Sequence, residues 1–252
     1  MKLFIYCVYL TITFMLCSVF NVNAASDIRF SSYRFALDPQ NRQQSFTLTN
    51  RGALTSRCTL GFSHNKVLAD GQLQTVKDAD QVANSASPYL RFSPKRVTIA
   101  PNGSQTVRLA LKRVRNQEKG EFVSYLRFSC VDDIRVATGT LGVTPRINYN
   151  IPVVVRIGKL TAQGQISDIK LVNKSLSFNI VPSGQRSLYG NIEVIDNDSG
   201  DIIGRLNNLS IYLGVVKQRI DIGLTDQPSG KLTVQFKEKP YNGNEVTIIA
   251  TR

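Results

Sequence analysis

The chain carries one histidine, His64, in 252 residues, and that scarcity removes most hydrolytic and metal chemistry. A weak nucleophile needs a base held against it, and a zinc site needs several nitrogen, sulfur or carboxylate ligands together. His64 stands beside a loop with no cysteine or second histidine near it, so it reads as a solvated side chain. No GxSxG, phosphate-binding loop or dinucleotide fingerprint occurs, and no CxxC, which excludes a thiol-exchange enzyme. No catalytic residue, metal or cofactor is therefore assigned, and the chain is expected not to be an enzyme.

Carboxylates are also scarce. Eighteen Asp and Glu stand against 31 Lys and Arg, for a formal net charge of +13, which favours encounter with acidic partners. The basic residues, among them Arg29, Arg42, Arg51, Arg57, Lys95, Arg96, Lys112 and Arg113, are scattered, with no dense run and no interleaved aromatic platform. Nucleic-acid binding is excluded on that pattern. The one cluster of acids, Asp196-Asn197-Asp198-Ser199-Gly200-Asp201, has its glycine one place too early for a calcium loop and no closing glutamate. It reads as a hairpin turn.

Long apolar runs are absent after Phe20. Before it, Lys2 is the only charged residue ahead of Asp27, the run Leu3 to Phe20 follows, and Val22-Asn23-Ala24 presents small residues for a peptidase. This is the pattern of a cleaved secretory signal over residues 1–24. The remaining chain holds no membrane-spanning segment, so it is expected outside the cytoplasm without membrane insertion. Loss of Cys7 and Cys17 with the signal leaves Cys58 and Cys130, each on an alternating, strand-like stretch. An even pair in an exported chain suggests a disulfide; two buried thiols are the alternative.

What is present is strand pattern. Short alternating segments recur near 28–37, 44–50, 55–63, 88–93, 96–100, 105–112, 121–130 and 141–156, then near 166–172, 175–182, 188–196, 201–206, 210–217, 219–224, 231–238 and 244–251. Gly, Pro, Asn and Asp clusters separate them. No convincing helix appears, and the segment 65–87 reads as a loop. The length suits two sandwiches, over 25–158 and 159–252, better than one. In the longest run, Leu141, Val143, Ile147, Tyr149, Ile151 and Val153 recur at every second position, broken only by Pro145, which puts one apolar row on one strand face. Pro145 and Pro152 lack an amide donor and argue for a sheet edge. A long apolar edge is normally blunted, so one that is kept suits strand addition to another chain. An ordinary core strand closing a sandwich is the alternative.

The segment Phe92-Ser93-Pro94-Lys95-Arg96-Val97-Thr98-Ile99-Ala100-Pro101-Asn102-Gly103-Ser104-Gln105-Thr106-Val107-Arg108-Leu109 resembles the signature of periplasmic pilus-assembly chaperones of the chaperone-usher pathway. Gly120-Glu121-Phe122, Ile151 to Arg156, and Gly184 to Gly190 resemble further segments of that family in the same order. The resemblance implies an all-β chain of two immunoglobulin-like sandwich domains in a boomerang. It implies a periplasmic chaperone that caps pilus or fimbrial subunits with its seventh strand, through Leu141, Val143, Ile147, Tyr149 and Ile151, and delivers them to an outer-membrane usher. It also implies that Arg34 anchors a subunit's C-terminal carboxylate and that Glu121 and Arg156 brace the domains. The family's second anchoring cation, a lysine, is unmatched, because Pro152 stands there. The free edge also allows a self-capping dimer. An exported immunoglobulin-like fimbrial subunit or adhesin is the alternative function.

Overall fold

The computed structural model describes residues 27–113, 118–134, 144–240 and 245–252. The signal segment 1–24, and Leu141 and Val143 of the apolar row, lie outside the described residues. The described chain is built almost entirely of strands, with two short 3-10 turns at Ala79–Gln81 and Ser87–Tyr89, and forms two immunoglobulin-like β-sandwiches. No described helix is long and apolar enough to cross a membrane.

The first sandwich comprises β1 (Ile28–Phe30), β2 (Phe35–Leu37), β3 (Gln43–Asn50), β4 (Ser56–Val67), β5 (Leu73–Val76), β6 (Leu90–Ser93), β7 (Arg96–Ile99), β8 (Ser104–Leu111), β9 (Gly120–Asp132) and β10 (Arg146–Ile157). One sheet runs β1-β3-β8-β6; the other runs β2-β10-β9-β4-β5, with β7 also on β4. Their inner faces alternate as the sequence does: Phe46 and Leu48 of β3, Val107 and Leu109 of β8, and Leu126 and Phe128 of β9 are all buried in one core. Each such side chain contributes about 1.5–3 kcal/mol when fully buried.

The stretch 28–37, which alternation reads as one strand, is two. β1 pairs antiparallel with β3 in one sheet, and β2 pairs parallel with β10 in the other. The chain crosses between sheets over 31–34, so Arg34 sits at the crossing. The segment 65–87 is not a plain loop, since β4 continues through Val67 and turns back into β5, pairing Asn65 with Thr75 and Val67 with Leu73. His64 lies inside β4 opposite Val76, half-buried, with Nδ1 shielded and without a hydrogen-bond partner among the described residues. The reading of it as solvated is corrected: His64 is half-buried and lies within the β4–β5 hairpin that the alternation did not show.

Cys58 and Cys130 are direct cross-strand partners on β4 and β9, buried in the core and joined as a disulfide with Cα atoms 4.0 Å apart. In the chain-entropy picture, a loop spanning 72 residues contributes about 4 kcal/mol when closed.

Gly158 leaves β10 with φ +79, a backbone setting that side chains resist, and turns the chain towards the second sandwich. This holds β11 (Ala162–Val172), β12 (Ser175–Gly184), β13 (Leu188–Asp196), β14 (Ile202–Ile211), β15 (Gln218–Gly223), β16 (Leu232–Glu238) and β17 (Thr247–Thr251). The sheets are β11-β12-β15 and β14-β13-β16-β17. The two strands expected near 201–206 and 210–217 are the single β14 followed by a turn. Val123, Tyr125 and Val154 point outward from β9 and β10 and pack into the second sandwich's apolar cluster with Ile180, Ile211 and Tyr212.

Candidate functional site

The edge expected of the long apolar run is present over part of its length. β10 pairs with β9 from Arg146 to Ile157, but its other side meets β2 only at Val153, Val154 and Val155. From Arg146 to Pro152 that side has no strand partner among the described residues. Pro152, which cannot donate to a ladder, is the last residue before the second pairing begins. Ile147 and Tyr149 face the core side of the sheet and are half-buried; Tyr149 stacks edge-on to Phe30 with ring centroids 5.1 Å apart. Burial raises the Tyr149 phenol pKa. Ile151, of the same row, is 3% exposed and belongs to the first sandwich's own core.

Arg34 lies where this free edge ends, because the next residue, Phe35, opens β2 opposite Val153. Its Nη1 donates to Ser210 Oγ at 2.9 Å and its Nη2 to Ser187 Oγ at 2.7 Å, both in the second sandwich. The rings of Tyr189 and Tyr212 flank the guanidinium, their centroids 5.0 and 5.5 Å from its central carbon. Desolvation is the first cause of a lowered Arg34 pKa, partly offset by Tyr212 and Glu121. Tyr125, buried edge-on to Tyr212, has its phenol pKa raised, first by burial and then by Tyr212.

The contrast with the two other interior arginines is informative. Arg156 Nε donates to Glu121 Oε2 at 2.8 Å, with side-chain exposures of 9% and 0%. Arg186 is held by both oxygens of Glu238, its Nη2 3.0 Å from Oε2. Arg34 forms no ion pair among the described residues. A partly desolvated cation whose hydrogen-bond acceptors are two hydroxyls is less fully compensated than one paired with a carboxylate, and its fork of donors suits a carboxylate.

Glu121 and Arg156 are opposite each other on β9 and β10, and both reach the second sandwich. Ser187 N donates to Glu121 Oε1 at 2.9 Å and Arg156 Nη2 donates to Ser187 O at 3.0 Å. Ser187 thus has its amide, carbonyl and hydroxyl all held by the first sandwich. The acidic cluster expected as a turn links β13 to β14: Asp196 Oδ1 accepts Asp198 N, and Oδ2 accepts Ser229 N and Oγ. The described residues hold no group of three or more His, Cys, Asp or Glu arranged for a metal.

Ser187, Tyr189, Ser210 and Tyr212 escaped the sequence reading. Ser187 and Ser210 lie 153 and 176 positions from Arg34, and single serines carry no spacing signal. Ser187 and Tyr189 do fall in the Gly184 to Gly190 segment that resembles the chaperones.

No protein-family model matches the chain, and no curated protein sequence matches it. Among solved structures the chain is similar to the YadV chaperone at 12% identity, covering 90% of this chain and all of that one, TM-score 0.48. It is similar to the class 5 fimbriae chaperone CfaA at 14% identity, covering 90% and 99%, TM-score 0.47. A third likeness is to the CsuC–CsuE chaperone–tip subunit pre-assembly complex of Acinetobacter baumannii archaic chaperone-usher Csu pili, at 10% identity, covering 88% and 98%, TM-score 0.48.

Proposed function

We propose that the protein is a periplasmic chaperone that takes up pilus or fimbrial subunits as an added strand on β10 and passes them to an outer-membrane usher. One relationship carries the reading: the open side of β10 runs from Arg146 to Pro152, β2 closes it from Val153, and Arg34 is the residue before β2. An incoming strand has backbone donors and acceptors to pair along that side, and it ends against Arg34. If it runs parallel to β10, its C-terminal carboxylate meets the guanidinium; if antiparallel, its terminal ammonium meets a cation. Charge selects the parallel strand. Tyr149, packed on the rim of the core, and the half-buried Ile147 supply apolar side chains to the subunit, together with Leu141 and Val143.

In the same reading, Glu121 and Arg156 fix Ser187 and thereby the junction of the two domains, 25–158 and 159–252, and the signal over 1–24 delivers the chain to the periplasm. The test uses a synthetic dodecapeptide alternating valine and threonine, as the free acid and as the C-terminal amide. Wild type is expected to prefer the acid by about tenfold to a hundredfold, since a charge-assisted bond contributes about 1.5–3 kcal/mol. Arg34→Ala is expected to lose that preference; equal loss on amidation in both proteins contradicts the anchor.

A further inference from the structure

The lysine that the resemblance implies on β10 is unmatched, with Pro152 in its place, yet Arg34 does not stand alone. We infer that the carboxylate anchor is built across both sandwiches, with the Ser210 hydroxyl as its second donor and Ser187 as the residue that positions Arg34. This rests on the strand-capture reading above and names how that site holds the terminus.

The bond inventory supports the division of roles. A guanidinium has five N–H donors and a hydroxyl has one donor and two acceptor lone pairs. Arg34 uses one N–H on Ser210 and one on Ser187, so three remain. Each serine oxygen accepts from Arg34 and donates to no acceptor among the described residues, so each hydroxyl proton stays available. Accepting from a cation also makes that proton a better donor. The two serines differ in access: Ser187 is 1% exposed and Ser210 is half-buried. Only Ser210 is placed to meet a ligand arriving from outside, while Ser187 holds Nη2 from within.

Ser187 is well suited to positioning. Its amide and carbonyl are tied to Glu121 and Arg156, so the atom that orients Arg34 is itself fixed by the buried ion pair of the first sandwich. Tyr189 and Tyr212 flank the guanidinium and favour approach in its plane, the geometry of a bidentate carboxylate. The combined site offers a fork and an adjacent hydroxyl, which matches the two oxygens of a chain terminus better than an amide.

The experiment measures the acid-to-amide affinity ratio of the same valine–threonine dodecapeptide on the full mature chain and its variants. Ser210→Ala is expected to cut the wild-type acid-to-amide ratio to less than half. Ser210→Thr keeps the hydroxyl and is expected to keep the ratio, whereas Ser210→Val, of the same shape, is expected to behave as the alanine variant; this pair decides the matter if alanine disturbs the strand. A ratio for both Ser210→Ala and Ser210→Val within twofold of wild type overturns the assignment of Ser210 while leaving Arg34 as anchor. If Arg34→Ala also keeps the wild-type ratio, the carboxylate reading itself has failed.

Discussion

Arg156 and Glu121 face each other across β9 and β10 with Nε and Oε2 2.8 Å apart, and between them they grip both polar backbone groups of Ser187 in the other sandwich. A surface pair contributes little. Here both charges are withdrawn from water, so removing one leaves the other uncompensated.

Glu121→Ala is therefore expected to destabilise the protein by about 3–5 kcal/mol and to free Ser187 N. Denaturant unfolding checks the first effect, and small-angle scattering checks the second as a rise in radius of gyration. A variant as stable and compact as wild type contradicts the bracing role.

The row on β10 divides in two. Ile147→Asp with Tyr149→Asp is expected to abolish peptide capture while leaving the chain folded, since each lost apolar contact weakens binding by about 1.5–3 kcal/mol. Ile151 belongs to the core, and Ile151→Ala is expected to lower unfolding free energy by about 2–5 kcal/mol. Urea titration beside peptide binding separates the two classes of effect.

Alkylation of the unreduced protein is expected to label neither Cys58 nor Cys130. Replacing both by alanine is expected to lower stability by about 4 kcal/mol. Two alkylated cysteines in freshly isolated material, read by mass spectrometry, contradict the bond.

Asp196 has its pKa lowered, first by the amide of Ser229 and then by that of Asp198. A depressed folded pKa gives stability that is present above the unfolded value near 3.9 and lost as pH falls through the folded value. Asp196→Asn is thus expected to lower the urea midpoint at about pH 6, with a difference from wild type that shrinks towards about pH 2. A difference independent of pH contradicts the ionised turn.

Period-two alternation made the strands legible because each sheet has one buried face: β3, β8, β9, β13 and β16 stand where Phe46, Val107, Phe128, Val194 and Phe236 alternate inward. It did not reveal the split between β1 and β2, since a strand that changes sheet keeps its alternation while its partners change. Nor did it reveal β5, whose Leu73 and Gln74 are exposed and carry no apolar face. Arg34 was legible only through resemblance, and the serines and tyrosines around it not at all, because an arginine at a domain junction finds its partners through tertiary packing.

Residue-resolved amide exchange on the mature protein, with and without the valine–threonine free acid, tests strand addition most directly. In the free protein, amides of Ile147 to Ile151 that point away from β9 have no partner strand, and those towards β9 are paired. Binding is expected to slow every second amide in that stretch by at least tenfold, with Val153 to Val155, already paired to β2, unchanged. Saturating peptide that leaves exchange at Ile147 to Ile151 as it was, or protects residues elsewhere instead, contradicts capture on this edge.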